Sequence, residues 1–414
     1  MSEAASELLS DARILAAALI FFGSYVVFAL GKFPGMKIDR PGAAIIGAVL
    51  MVAFGIVNAN TALAAIDFAT IVLLFSMMLT VSHVRAAGFF DVITAWVLRW
   101  FKPRHLLPAV IFTTGALSAF MVNDIVCLVM APLVIHLARR FSLPPLAYVL
   151  AVATSANIGS VATPTGNPQN MLIGSLSQIP YTEFLLRLGP IALLGLLANW
   201  AIIHVIYRRR LTDVIERPPH DTGPPARLTR LKPIVVLAGV LGAFFAGVPP
   251  ALAAAVGAAV LLITRSVDPQ RAYRDVDWGL LVFFVGLFVI VAGAERAGLT
   301  ASLLSPLSTW GLDRLPLFVA VTATLSNVVS NVPAVMLLRG MVPGLADPHG
   351  GWLALAMAST LAGNLTVTGS VANIIVVERA SAEGVTVTFR DYVEVGLPLT
   401  IATLVIGTLW LWAT

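Results

Sequence analysis

Charge is what this sequence has least of. Of 414 residues only 11% are charged while 58% are hydrophobic, whereas a soluble domain carries about 25% charged residues. The shortage excludes a nucleic-acid binder and points to an all-α polytopic membrane protein set in a lipid bilayer. A spanning helix takes about 20 apolar residues, so the length holds about ten to twelve of them and leaves little for a soluble domain. The one cysteine, Cys127, cannot close an internal disulfide, and with the six histidines it forms no cluster spaced like a metal site. No cofactor and no structural metal are expected. His-Glu-x-x-His, Gly-x-Ser-x-Gly and Walker motifs are all missing, which disfavours an enzyme or an ATP-driven pump. The opening MSEAASELLSDAR is acidic and polar, with no basic n-region or cleavage site, and predicts no removable signal peptide.

What is present is a series of apolar runs. Eight are uninterrupted, near 13–30, 41–58, 67–84, 184–207, 232–247, 250–264, 277–295 and 390–412. Four others, 106–138, 145–177, 314–343 and 351–378, are broken in mid-run by Asn, Gly, Pro, Thr or Ser. Non-helical backbone at membrane depth is tolerated only where protein or a water-filled cavity surrounds it, so the interruptions point at a site. Of 26 Lys and Arg, 21 fall in the loops 31–40, 85–105, 139–144, 208–232, 265–276 and 379–390. These loops share one face only if 106–138 leaves and re-enters as a hairpin and 314–343 does so from the opposite side. Positive-inside bias then predicts about ten spans, two re-entrant hairpins, two broken helices, and both termini outside the cytoplasm. The net charge of +5 thus reports topology and not an acidic partner.

The chain also repeats itself. DFATIVLLFSMMLTVSHVRAAGF from Asp67 aligns with DWGLLVFFVGLFVIVAGAERAGL from Asp277; LSAFMVN, TGNPQN and TEFLLRLGP recur as LSNVVSN, TGSVAN and RDYVEVGLP in the same order. By the charge count the copies run in opposite directions, and inverted repeats with discontinuous helices are the pointer to a secondary transporter. The expected organisation is an N-terminal half, 1–207, a Pro- and charge-rich cytoplasmic linker, 208–232, and a C-terminal half, 233–414. The segment 88–102 places Phe89, Ile93, Trp96, Val97 and Trp100 on one helical face, fitting either an arm between moving parts or a helix lying on the bilayer.

Candidate site residues follow from the interruptions. Asn123 and Asp124 mark the first hairpin; an acid at membrane depth usually marks an ion or proton path, and Asp124 could at the same time cap the helix of the second arm. Within 155–174, Gly159, Pro164, Gly166 and Pro168 break the helix, while Asn157, Thr163, Thr165, Asn167, Gln169 and Asn170 supply side-chain oxygens and amides. Broken helices offer carbonyls to a cation and N–H groups to an anion; any single Asn or Thr here could instead pack helices together. The second copy brings Ser330 and Asn331 at its hairpin and Asn364, Thr366, Thr368, Gly369, Ser370 and Asn373 at its break. Arg187 and Arg339 are expected to snorkel to the interface, and His83 and His136 to be solvated near cytoplasmic ends.

NDIVCLVMAPLVI and NIGSVATPTGNPQNMLIG resemble signatures of the ion transporter superfamily, which includes arsenite-efflux permeases, sodium/proton antiporters, citrate transporters and divalent anion/sodium symporters. The resemblance runs over about 67–412 and is closest to the arsenite-permease-like branch. It implies a homodimer whose protomers slide a transport part against a scaffold like an elevator. Sodium-coupled anion members carry Ser-Asn-Thr at each tip; here the tips read Val122-Asn123-Asp124 and Ser330-Asn331-Val332, keeping Asn and losing part of the rest. The expectation is a secondary transporter of a small inorganic or carboxylate anion in a bacterial cytoplasmic membrane. Coupling would be to protons through Asp124 or to Na+ near Asn123 and Asn331. The alternatives are a sodium/proton antiporter and an ion channel.

Overall fold

The computed structural model describes residues 3–31, 37–211, 229–264, 268–300, 302–303, 311 and 314–414. The expected linker falls largely on 212–228, outside the described residues. The regular elements described are helices, and large apolar side chains such as Leu19, Ile263 and Trp412 stand 67%, 80% and 77% exposed. Such a surface is the lipid-facing skin of a membrane protein.

The N-terminal half runs α1 (Glu3–Leu30), α2 (Arg40–Ala53), α3 (Ala59–Ala65), α4 (Phe68–Ala86), α5 (Phe89–Trp100), α6 (Leu106–Phe120), α7 (Asn123–Arg140), α8 (Pro145–Ser160), α9 (Pro168–Ser177) and α10 (Tyr181–Leu211). The C-terminal half runs α11 (Lys232–Phe245), α12 (Pro250–Ile263), α13 (Pro269–Arg274), α14 (Trp278–Arg296), α15 (Leu315–Val329), α16 (Asn331–Leu338), α17 (Pro348–Ala362), α18 (Val371–Ala382) and α19 (Phe389–Ala413). Starts recur at offsets of 203–210 residues, pairing α2 with α12, α4 with α14, the α6–α7 hairpin with α15–α16, the α8–α9 break with α17–α18, and α10 with α19. The run at 41–58 is shorter than expected. α2 ends at Ala53, Gly55 turns the chain with φ +66°, and Asn58 caps α3 by accepting from Thr61 N at 2.8 Å.

Direct contacts show that the repeats are inverted. Arg85, at the end of α4, pairs with Asp275, just before α14, at 2.6 Å, and Ser82 Oγ donates to the same carboxylate at 2.6 Å. At the other end Arg296, closing α14, donates to Thr61 ahead of α4 at 3.3 Å. α4 and α14 are therefore antiparallel.

Packing sorts the helices into two bodies, each drawing on both halves. α2 lies along α14 and α4 along α12, with α1 on α2 and α11 on α12, to form a scaffold. Small residues allow the close approach: a Cβ on Gly286 would lie 2.5 Å from the Ala44 carbonyl oxygen. The second body is α6–α10 with α15–α19; α6 packs on α8, α7 on α8 and α18, and α10 on α19. At 15 residues each, α6 and α15 are about 22 Å long at 1.5 Å per residue, short of a hydrocarbon core of about 30 Å. Each turns back at its tip. α5 contacts both α4 and α7, so the aromatic segment joins the two bodies. α4 is wrapped by α5, α7, α9, α11, α12, α13 and α14, so His83 is fully buried and not solvated, with Nδ1 2.8 Å from Leu79 O; His136 is exposed.

Candidate substrate site

Where a helix stops, its last carbonyls lose their partners, and where one starts, its first N–H groups do. At the first break Asn170 Nδ2 donates to Ser160 O and Thr163 O, both at 3.1 Å, and Asn167 Oδ1 caps α9 from Asn170 N at 2.9 Å. The second break reuses the device: Asn373 Nδ2 donates to Gly363 O at 2.7 Å and to Thr366 O at 3.1 Å. Thr163 Oγ1 donates to Ala119 O and lies 3.2 Å from Thr165 Oγ1, which meets Tyr181 Oη at 2.9 Å. These bonds brace the break against α6 and α10. Gly166 brings the strand of the break against α8, where a Cβ would lie 2.6 Å from Ser160 Cα.

The two breaks lock across the pseudo-two-fold. Asn157 Nδ2 donates to Asn364 Oδ1 and Asn373 Oδ1, both at 3.0 Å, and Asn157 Oδ1 accepts from Ser370 Oγ at 3.0 Å. Its mate Thr360 accepts from Asn167 Nδ2 at 3.2 Å and from Gln169 Nε2 at 3.1 Å. The hairpin tips rest on this lock. Asn123 donates its N–H to Gly166 O at 2.9 Å and its amide to Asn157 Oδ1 at 3.2 Å. Oriented so that its nitrogen faces acceptors, the Asn331 amide donates to Ser326 Oγ at 2.7 Å and Gly369 O at 3.1 Å and accepts from Gln169 Nε2 at 3.2 Å. Asn123 Oδ1 and Ser118 Oγ, in the first hairpin, are buried with no hydrogen-bond partner among the described residues.

Both tips open on one cavity of about 310 Å³. Four helices of the second body start at its wall: α7 with Asn123 and Asp124, α9 with Gln169, α16 with Asn331, and α18 with Val371. The scaffold closes the other side with Asp39 and Arg40 at the start of α2 and Asp277 at the start of α14. Asp39 and Asp277 are committed as caps, accepting from Gly42 N and Leu280 N, each at 2.9 Å. Asp124 is not a cap: Val122 holds that position and no side chain caps α7. Among the described residues Asp124 has no hydrogen bond or ion pair, and it faces the cavity.

Of the residues singled out in the sequence, Asn123, Asp124, Pro168, Gln169, Ser330, Asn331 and Ser370 line this cavity. Asn157, Asn167, Asn170, Asn364 and Asn373 are buried behind it as the lock. Thr163, Thr165 and Gly166 hold the first break, Gly369 offers its carbonyl to Asn331, and Thr366 and Thr368 lie on the more open side of the second break, 3.4 Å apart. Sequence reasoning missed the scaffold wall. Arg40, counted there with a cytoplasmic loop, lines the cavity, because the start of α2 packs beside that of α14. The Asp39-Arg40-Pro41 start of a helix was visible, but not what it would face. Arg339 pairs with Glu295 at 3.0 Å, and Arg187 donates to Thr414 O at 2.6 Å, so both are held by protein partners.

Comparison with known proteins places this geometry. The profile of a family described as citrate transporter matches residues 25–362. The silicon efflux transporter LSI3 of Oryza sativa subsp. japonica is 30% identical, aligned over 94% of this chain and 96% of its own. A protein of Dictyostelium discoideum named putative transporter arsB is 26% identical over 90% of this chain and 87% of its own. Among solved structures, the Alcanivorax borkumensis YdaH transporter superposes with a TM-score of 0.57 at 16% identity, covering 98% of both chains. Neisseria gonorrhoeae MtrF does so with a TM-score of 0.59 at 12% identity, covering 97% of this chain and 94% of its own. At such identities the likeness is one of fold.

Proposed function

The chain belongs to the citrate transporter family, and we propose that it is a secondary active transporter carrying a small inorganic or carboxylate anion together with a proton. It is an integral membrane protein and not an enzyme. The observation that carries the reading is an unpaired carboxylate, Asp124, inside a cavity where four helix N-termini of one body meet. Each N-terminus presents about half a positive charge, which favours an anion, while Asp124 opposes one. Two unit negative charges about 5 Å apart repel by about 3 kcal/mol at an effective dielectric of 20. A proton on Asp124 removes that repulsion, so anion and proton enter as a pair.

The two-body packing supports an elevator-type movement, in which α6–α10 and α15–α19 slide against the scaffold and carry the tips with them. The distribution of basic loops supports both termini lying outside the cytoplasm of a bacterial inner membrane, and the family likeness supports a homodimer. One observation favours a second reading of the coupling ion. The orphaned oxygens of Asn123 and Ser118 are neutral ligands of the kind a hard cation takes, as in sodium coupling or sodium/proton antiport.

The test is transport by purified protein in proteoliposomes, with citrate, sulfate, phosphate and arsenite offered in sodium and in choline buffer. We expect saturable counterflow of one of them, accumulation driven by a proton gradient in choline, and loss of that drive in Asp124→Asn while exchange persists. Unchanged coupling in Asp124→Asn would sink the proton role. Transport of sodium with no anion present would establish the antiporter, and flux without counterflow a channel.

A further inference from the structure

The cavity has a twin. A second one, of about 320 Å³, lies at the symmetry-related place on the scaffold. Five positions of the scaffold wall correspond at an offset of 210, among them Arg40 over Pro250, Gly279 over Ala69 and Phe283 over Leu73. The inverted repeat has therefore built two equivalent mouths, one where the tips now stand and one that they would face after sliding.

The mouths are alike in backbone and unlike in charge. Asp39 and Arg40 at the first are Pro249 and Pro250 at the second. Among the described residues Arg40 is the one cation on either wall, and it is only partly committed. Its Nε donates to Phe28 O at 3.0 Å, and no described carboxylate lies within ion-pairing distance of it. Asp39 and Asp277, its acidic neighbours at this mouth, are held by their own helix N–H groups, and Asp124 faces the same cavity from the other body. The segments leading into this mouth, 31–40 and 265–276, carry six Lys and Arg; those leading into its twin, 54–66 and 246–249, carry none. Positive-inside bias puts the Arg40 mouth at the cytoplasm.

We infer that Arg40 is a one-sided anion-recognition residue, which holds the substrate's anionic group only while the site faces the cytoplasm. This rests on the anion-transport reading above. The guanidinium offers planar, paired N–H donors to a carboxylate or oxyanion, and it belongs to the scaffold, so the substrate leaves it behind when the tips move. The protein then captures its anion at low cytoplasmic concentration and releases it from a mouth with no counter-charge, an asymmetry suited to export.

The test measures half-saturating concentrations of sulfate, inorganic phosphate and citrate at each face, using inside-out and right-side-out vesicles with transport normalised to inserted protein. Arg40→Gln is expected to raise the cytoplasmic-face value about 10- to 100-fold, the range for one hydrogen bond to a charged group. The outer-face value should stay within about twofold. Arg40→Lys, which keeps the charge, should recover part of the loss, and Pro250→Arg should lower the outer-face value. An equal shift at both faces, or none, in Arg40→Gln overturns the assignment while leaving transport intact. Failure of the wild type to carry any of these three anions, or the arsenite of the transport panel, overturns the anion reading and the Arg40 assignment with it.

Discussion

Gly159→Ala should destabilise this protein where Gly115→Ala does not, although the two glycines face each other across α6 and α8. A Cβ on Gly159 would lie 2.5 Å from Gly115 Cα and closer still to its carbonyl oxygen. Carbon atoms sit comfortably at about 3.5–4.0 Å, so backbone must part from backbone by about 1 Å. A gap of 0.5–1 Å forfeits about a quarter to a half of the dispersion well along the opened seam. Overpacking typically costs about 1–3 kcal/mol and sometimes more, and alanine returns about 1 kcal/mol of helix propensity. Backbone against backbone puts this clash at the top of that range, so we expect a net loss of about 2 kcal/mol. The three atoms nearest a Cβ on Gly115 instead all belong to the Leu196 side chain, with Cδ1 at 2.6 Å; that side chain can rotate away, so the propensity gain should leave stability near the wild type. The damage should also reach function, because Asn157, half a turn from Gly159, holds the first tip through the 3.2 Å bond from Asn123. The assay is thermal melting of detergent-purified variants by tryptophan fluorescence, with anion uptake measured in parallel. If Gly159→Ala melts at or above the wild type, or if Gly115→Ala is the worse of the two, the close-approach reasoning is wrong.

Asn170→Ala should cost about 1–3 kcal/mol, two hydrogen bonds at about 0.5–1.5 kcal/mol each, because Ser160 O and Thr163 O lose their shorter donor and keep Asn167 Nδ2 and Gly166 N, both at 3.3 Å; denaturation of purified protein that shows no loss would mean these donors, or water, replace the amide. Ser330 has φ +78° and ψ 159°, a region nearly reserved for glycine that costs about 1–3 kcal/mol. Ser330→Gly should therefore raise the melting temperature, and it should weaken anion binding if the hydroxyl on the cavity wall touches substrate. A lower melting temperature would show the serine conformation to be unstrained.

Much of this architecture could be read along the chain. Apolar runs of spanning length, their interruption by Pro, Gly and Asn, and the recurrence of motifs about 208–210 residues apart are local or periodic signals, and the helices, tips and breaks fall where they indicate except at 41–58, where α2 stops at Ala53. The polar residues of the site were also visible as a set, since buried amides in apolar runs need a purpose.

Their division of labour was not. Asn157, Asn170, Asn364 and Asn373 could by sequence serve as ligands or pack helices, and in the structure they hydrogen-bond within and between the breaks; which way an amide points at the end of a broken helix depends on what the opposite repeat brings against it. His83 looked peripheral and is buried because seven helices surround α4. Arg40 looked like a loop charge and lines the cavity because α2 packs along α14, an element more than 200 residues away. The sequence by itself determined that this is a helical membrane protein with two inverted copies of an interrupted design, because hydrophobic period and helix-breaking chemistry act within one segment. Only the tertiary structure decided which interruptions form the cavity and which hold it shut, because that follows from packing between the copies, where each side chain meets partners its own segment cannot specify.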